Sequence, residues 1–317
     1  MFMISALNIG SQTLVWGERT YVMGILNITP DSFSGDGLLP PSSSASSLPG
    51  SPSTFNRDEG RGKIEPLDLA RGFLSNGADI LDIGGESSRP GAQPVTAAEE
   101  MAHVLPVIRA IIADFPDALI SIDTYKANVA EAALQAGARI INDIWGLRAD
   151  PDLAPMAARC NAPVILMHNR SNPASVEVRE KLGNAYAEAK YQDLLEDVKR
   201  ELMESVAIAR RAGIPGEHII LDPGIGFGKS VDQNLELIRR LDEIRILGYP
   251  VLLGPSRKSF IGYTLNLPPD QRLEGTAAAV AVGISRGADI IRVHDVEAMA
   301  RVARMTDALV RPVQRRM

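Results

Sequence analysis

Eight short apolar runs, each delivering a polar residue at its end and each followed by a helix-like stretch, constrain this chain more than any other feature. The first, Val22 to Leu26, ends at Asn27 and passes into a loop of hydroxyls and carboxylates. The pattern returns at Asp79 to Ile83 before Gly84-Gly85, at Leu119 to Ile122 before Asp123, at Arg139 to Ile141 before Asn142-Asp143, and at Pro163 to Met167 before His168. It continues at His218 to Leu221 before Asp222, at Tyr249 to Leu253 before Gly254-Pro255-Ser256, and at Asp289 to Val293, which carries Arg292 and leads to His294. Continuous apolar runs of this kind mark strands buried on both faces. Their alternation with helices implies a parallel sheet, and eight units predict an α/β fold closed as a (β/α)8 TIM barrel.

The intervening helices are predicted at 67–75, 97–114, 126–136, 152–160, roughly 186–212, 231–242, about 272–286 and 296–310. A weak internal repeat joins helix end to strand start: Gly77-Ala78-Asp79-Ile80-Leu81, Gly137-Ala138-Arg139-Ile140-Ile141 and Gly287-Ala288-Asp289-Ile290-Ile291. A doubly wound sheet is the competing architecture, and it calls for a phosphate or dinucleotide loop. The glycine-rich Asp222-Pro-Gly-Ile-Gly-Phe-Gly-Lys-Ser230 does not supply one. A Walker A loop needs glycine at 223, which is proline, and a Gly-x-Gly-x-x-Gly needs glycine at 229, which is lysine. These glycines are expected to let backbone pass close to a planar ligand.

At 317 residues, with 45% hydrophobic and 23% charged content, the chain suits one barrel domain over 21–310 with an insertion in its first βα loop. The insertion is 38–62, dominated by proline and serine over 40–53 and expected to be flexible. Residues 1–20 are expected to form a hairpin or lid, and 311–317 a solvated basic tail. Net charge is −6 without a basic stripe, which argues against nucleic acid as a partner. One cysteine, Cys160, excludes a disulfide framework, and its place in a predicted helix suggests a buried thiol. Neither a secretory leader nor an apolar stretch of about 18 residues is present, so the reading is cytoplasmic with no membrane partner.

In a parallel barrel every strand's last residues lie on one rim. That rim would collect Asn27, Asp82, Asp123, Asn142, Asp143, His168, Asp222, Ser256, Lys258, Arg292 and His294. Asp123, Asn142 and Asp222 can read a flat nitrogen heterocycle, much as carboxylates and amides read base edges. Phe227 and Lys229 are expected to flank it. Lys258, Arg292, His294, Arg89 and Asn27 suit a diphosphate with its magnesium. His168 is as compatible with a structural role as with a functional one.

The segments Val22–Gly37, Leu81–Ala92, Ser121–Tyr125, Ile141–Ile144, Leu221–Lys229, Gly254–Ser259 and Arg292–His294 resemble the dihydropteroate synthase family. Asn-Ile-Thr-Pro-Asp-Ser-Phe-Ser at 27–34 and Gly-Glu-Ser-Ser-Arg-Pro-Gly-Ala at 85–92 carry most of that likeness. The resemblance implies a (β/α)8 barrel that joins 6-hydroxymethyl-7,8-dihydropterin diphosphate to 4-aminobenzoate, in folate biosynthesis, through a cation-like substitution. It implies that Asp123, Asn142, Asp222 and Lys258 hold the pterin, with Met167 and Phe227 lining its slot. Asn27 would bind Mg2+, Arg292, His294 and Arg89 would meet the diphosphate, and Asp31 would help the carbocation. Thr29 to Phe33 and Ser87, Ser88, Arg89 and Pro90 would form two loops over the aminobenzoate. The family also implies a homodimer and sulfonamide binding. Ser88 replaces a usual threonine, Gly35-Asp36-Gly37 reorders an Asp-Gly-Gly, and His168-Asn169-Arg170 replaces a common His-Met-Gln. A pterin-binding methyltransferase and a non-catalytic pterin-binding paralogue remain open at this point.

Overall fold

A computed structural model describes residues 4–28, 65–179 and 181–311. Thr29, Asp31, Phe33, the 38–62 insertion and the tail beyond Arg311 lie outside the described residues. The strands are β1 (Leu7–Ile9), β2 (Gln12–Leu14), β3 (Tyr21–Asn27), β4 (Ile80–Gly84), β5 (Leu119–Asp123), β6 (Ile140–Asp143), β7 (Val164–Met167), β8 (Val176–Glu177), β9 (Ala185–Tyr186), β10 (Ile219–Asp222), β11 (Leu252–Leu253) and β12 (Ile290–Val293). The helices are α1 (Pro66–Ser75), α2 (Ala97–Asp114), α3 (Ala127–Ala136), α4 (Leu153–Arg159), α5 (Leu194–Ala212), α6 (Val231–Arg239), α7 (Leu241–Arg245), α8 (Ser259–Leu265), α9 (Leu273–Ser285) and α10 (Val296–Val310).

Eight strands pair in the order β10-β7-β6-β5-β4-β3-β12-β11, all parallel. A parallel bridge between Leu221 and Val251, with Leu221 N–H donating to Pro250 O at 2.9 Å, joins the two ends and closes the barrel. The internal repeat has a physical cause. After each helix a glycine takes positive φ (97° at Gly77, 123° at Gly137, 96° at Gly287). The next N–H then reaches back to a last-turn carbonyl, Ala78 to Phe73, Ala138 to Ala133 and Ala288 to Gly283, at 2.9 to 3.0 Å. The chain is thereby turned back into the next strand.

Side-chain parity divides each strand. Val22, Leu81, Ile83, Ile120, Ile122, Ile141, Val164, Leu166, Leu221 and Ile291 face outward into the core shared with the helices. Tyr21, Met23, Ile80, Leu119, Ile140, Ile165, Ile220, Leu252 and Ile290 face inward and fill the N-terminal half of the barrel. On five strands the next inward position is polar (Asp82, Ser121, Asn142, Asp222 and Arg292), so the same register that packs the floor opens a charged mouth above it.

Leu7, Ile9, Leu14 and Trp16 belong to this inward cluster, and Val15 N–H donates to the Tyr21 hydroxyl at 2.7 Å. The β1–β2 hairpin therefore seals the floor, the end opposite the mouth, and is not a lid over it. Each of those side chains contributes roughly 1.5–3 kcal/mol by burial.

Three further expectations are corrected. The long charged helix starts at Leu194 and not near 186, because Asp193 caps it by accepting from Glu196 N–H at 3.0 Å. Between β7 and α5 the chain instead makes an excursion that includes the β8–β9 ladder. Cys160 is exposed, since α4 ends at Arg159 and the thiol lies on its cap. Arg311 is not solvated: it donates to Asp307 at 2.6 Å and to Ala288 O at 2.9 Å. No helix among the described residues is long and apolar enough to cross a membrane.

Candidate active site

Inward parity brings Asn27, Asp82, Asp123, Asn142, Met167, Asp222 and Arg292 to one mouth, with Ser256, Lys258 and His294 on the connections just above. Arg292 from β12 spans the opening. Its Nε donates to Asp82 Oδ2 and its Nη2 to Asp123 Oδ2, both at 2.5 Å. Asn142 Nδ2 donates to the same Asp82 oxygen at 3.1 Å. Asp82 is fully buried, and its Oδ1 has no partner among the described residues. A buried carboxylate survives on such pairing, so Asp82 is the hub that orients Arg292 and Asn142. The sequence placed Asp82 on the rim but gave it no role.

Asp222, at the end of β10, accepts from Gly224 N–H at 2.7 Å. Burial raises its pKa, against the pull of Lys258. Burial likewise lowers the Lys258 ammonium to about 8, against the pull of Asp222. Lys258 donates to Ile225 O and stands 4.6 Å from the Phe227 ring centroid. The Asp123 carboxyl is pushed up to about 7 by burial, with Arg292 opposing and Asp82 reinforcing the shift. His294 is lowered to about 3 by burial and then by the charges of Arg257, Arg292, Arg89 and Lys258, so it is neutral at physiological pH. Its Nδ1 lies 3.0 Å from the buried Ser256 Oγ, which also accepts from His294 N–H at 3.2 Å. Two carboxylates, an amide and an ammonium therefore face a cationic and hydroxyl-bearing side within one opening.

Lys229 does not face that opening. Its buried ammonium donates to Gly224 O at 2.9 Å and Phe227 O at 3.1 Å, and lies 3.0 Å from His168 Nδ1. It braces the loop instead of flanking a ligand. His168 follows inward-facing Met167, so parity turns it outward toward α5, where Nε2 lies 3.2 Å from Glu201. Glu201 also pairs with Arg170. The glycines of this loop serve the same close packing: a Cβ on Gly224 would lie 1.8 Å from His168 O, and one on Gly228 would lie 2.7 Å from the Arg170 backbone. Asp143, also outward, accepts from Trp145 and Leu147 N–H groups and shapes a turn.

Ser87, Ser88, Arg89 and Pro90 follow β4. The base of this segment is tied by Lys126, which pairs with Glu86, with Glu100 at 2.6 Å and with Val95 O at 2.8 Å. A cavity of about 30 Å³ beneath it is lined by Ser87, Ser88, Asp123 and Tyr125, among others. Tyr186, which the sequence reading put inside a helix, arrives from β9. Its ring stacks on Phe227 at 5.7 Å between centroids. Its hydroxyl donates to Ser88 O at 2.9 Å.

The sequence profile of the family described as pterin binding enzyme matches residues 52–294. The dihydropteroate synthase of Clostridium beijerinckii is 48% identical over 310 residues, covering 96% of this chain and 100% of that protein. That of Bacillus subtilis is 48% identical over 300 residues, covering 93% and 90%. The chain belongs to the dihydropteroate synthase family. It is accordingly an enzyme, a transferase, and the methyltransferase reading is set aside. Solved members of the family share the architecture. The Yersinia pestis dihydropteroate synthase, in a sulfonamide drug complex, superposes with a TM-score of 0.80 at 36% identity, covering 96% of this chain and 99% of that one. The Clostridium difficile enzyme in the presence of pteroic acid gives 0.77 at 42% identity, covering 94% and 99%. The Xanthomonas albilineans enzyme with 4-aminobenzoic acid gives 0.76 at 35% identity, covering 94% of each chain.

Proposed function

We propose that the chain condenses 6-hydroxymethyl-7,8-dihydropterin diphosphate with 4-aminobenzoate to give 7,8-dihydropteroate and diphosphate. One observation carries this reading: Asp123, Asn142, Asp222 and Lys258 share a single mouth with Arg292, Ser256 and His294. The relatives with pteroic acid and with 4-aminobenzoic acid support it.

Asp123, Asn142 and Asp222 orient the pterin through its ring N–H and carbonyl groups, with Met167 and Phe227 closing its faces and Lys258 at its edge. The arylamine nitrogen bonds to the pterin methylene carbon as the C–O bond to diphosphate breaks, and the amine sheds its proton. The pterin ring spreads the developing positive charge, and no enzyme nucleophile is required. Arg292 uses two of its five N–H groups on Asp82 and Asp123 in the bonds given above, leaving others for the departing anion. Neutral His294 and Ser256 add donors beside it, and the exposed Arg89 contributes charge from the 86–92 segment. Such preorganised donors act where charge develops. Asp31, Thr29 and Phe33 would complete the second substrate's pocket from outside the described residues.

Magnesium bound mainly through phosphates needs only one or two protein oxygens. Asn27 is half-buried at an inward strand end beside β12, and no group of three His, Cys, Asp or Glu able to hold an ion exists among the described residues. That donor set fits an ion carried in with the diphosphate and touched by Asn27. When bound, it neutralises the leaving group. Exposed Leu273, Val282, Met305 and Leu309 on α9 and α10 suit the homodimer, and the net charge of −6 with one cysteine suits the cytoplasm.

The test is turnover with both substrates and Mg2+. Pteroate formation is expected, and Asp123→Ala should abolish pterin binding by removing the charged acceptor. Pterin affinity unchanged in that variant would refute the pocket. Wild-type protein that binds pterin and forms no pteroate would favour the non-catalytic paralogue.

A further inference from the structure

The excursion between β7 and α5, described at 171–179 and 181–190, is fastened to the barrel along its length. Arg272 donates to Leu182 O at 2.6 Å and the Tyr263 hydroxyl to Gly183 O at 3.1 Å. Ala189 N–H donates to Gly228 O at 3.1 Å, and Gln233 Nε2 to Glu188 at 2.9 Å. These anchors come from α8, the turn before α9, the 224–228 loop and α6. The excursion is therefore a strap with a fixed course, and the residue it delivers to the mouth is Tyr186.

Tyr186 links two walls of the mouth. Its ring lies on Phe227, 5.7 Å between centroids and 29° between planes, and Phe227 in turn sits 4.6 Å from the Lys258 ammonium. Its hydroxyl donates at 2.9 Å to the backbone carbonyl of Ser88, across 98 residues of sequence. Because the bond goes to the carbonyl, the Ser88 hydroxyl is left for a ligand, and Ser87 Oγ, which accepts from Arg89 N–H at 3.4 Å, keeps its own hydrogen to donate. Burial raises the phenol's pKa, so it remains a donor throughout the neutral range.

We propose that Tyr186 is a positioning residue for the arylamine: anchored by the strap and braced on Phe227, it holds the Ser87–Pro90 segment against the pterin-side wall, so the second substrate meets a preformed pocket. This rests on the reading of the reaction given above. A segment that must admit one substrate and then seat another exchanges between open and seated forms, and a contact made only in the seated form favours it. One neutral hydrogen bond is worth roughly a two- to tenfold shift in that balance.

The experiment compares wild type, Tyr186→Phe and Tyr186→Ala in steady-state kinetics, pterin binding and hydrogen exchange of residues 86–92. In Tyr186→Phe, which keeps the stacked ring, the KM for 4-aminobenzoate should rise roughly two- to tenfold, with pterin Kd and kcat near wild type, and amides of 86–92 should exchange faster by a similar factor. Tyr186→Ala should show a larger KM effect, because it loses the stacking as well. Unchanged KM and exchange in both variants would overturn the proposal. So would a lowered KM, which would make the ring an obstruction, or a loss of pterin affinity equal to that for the arylamine. A wild type that forms no pteroate would sink the reaction itself, while hydrogen exchange would still decide whether Tyr186 fastens the segment.

Discussion

Replacing Lys229 by methionine separates a brace from a substrate ligand. The substitution keeps the apolar stem and removes three donors, leaving His168 Nδ1, Gly224 O and Phe227 O without them. Lys229 is buried. Each buried acceptor left unmade costs about 1–3 kcal/mol. No longer burying an ammonium offsets part of the sum, and breaking one partner out of a buried charged network costs about 3–5 kcal/mol on balance. Taking about 3 kcal/mol and roughly 2 °C per kcal/mol for a chain of this size gives a fall in Tm of about 6 °C.

The pH dependence sharpens the test. Burial pulls Lys229 down to about 7 in the folded protein, whereas an unfolded lysine titrates near 10.4. Between those values the unfolded chain holds the additional proton, so wild-type stability gains from this group as pH rises through the window. Lys229→Met lacks that slope, and its deficit should widen from about pH 7 to about pH 10. Calorimetry across that range, with pterin titrations well below Tm, reads both. A Tm within about 1 °C of wild type would refute the bracing argument. A folded variant that has lost pterin affinity by more than about a hundredfold, about 2.7 kcal/mol, would return Lys229 to the substrate.

Two further outcomes test the mouth and the wall behind it. Because Asp123 is pushed up to about 7, its ionised fraction shrinks below neutrality, so pterin Kd should rise by up to about tenfold per pH unit below 7; calorimetric titration that is flat from about pH 5 to about pH 8 contradicts this. Gly24→Ala would put a Cβ 2.6 Å from Phe73 Cδ2 and 2.9 Å from Val296 Cγ2, so it should cost about 1–3 kcal/mol in denaturant unfolding while pterin affinity is kept.

What was legible in the sequence follows from how far each signal reaches along the chain. The barrel was readable because each strand and helix declares itself within about ten residues, and helix 97–114 falls where its pattern put it, with Thr96 and Glu99 closing a capping box. The rim was readable because parity is local too. Ile80 and Asp82, Ile140 and Asn142, Ile220 and Asp222, and Ile290 and Arg292 are each two residues apart, so packing of the floor carries the charge to the mouth. The same rule turns His168 and Asp143 toward the helices. Lys229 and Lys258 were not separable in this way, since both follow glycine- or proline-rich connections whose course depends on backbone meeting backbone, as Gly224 does against His168 O. Tyr186 lay further out of reach. The charged pattern of α5 runs back into the strap without a break, and only the Asp193 cap marks where helix begins. Its hydroxyl reaches a carbonyl 98 positions away, a contact with no local period, which is why a residue bridging the walls of the mouth was invisible until the chain was folded.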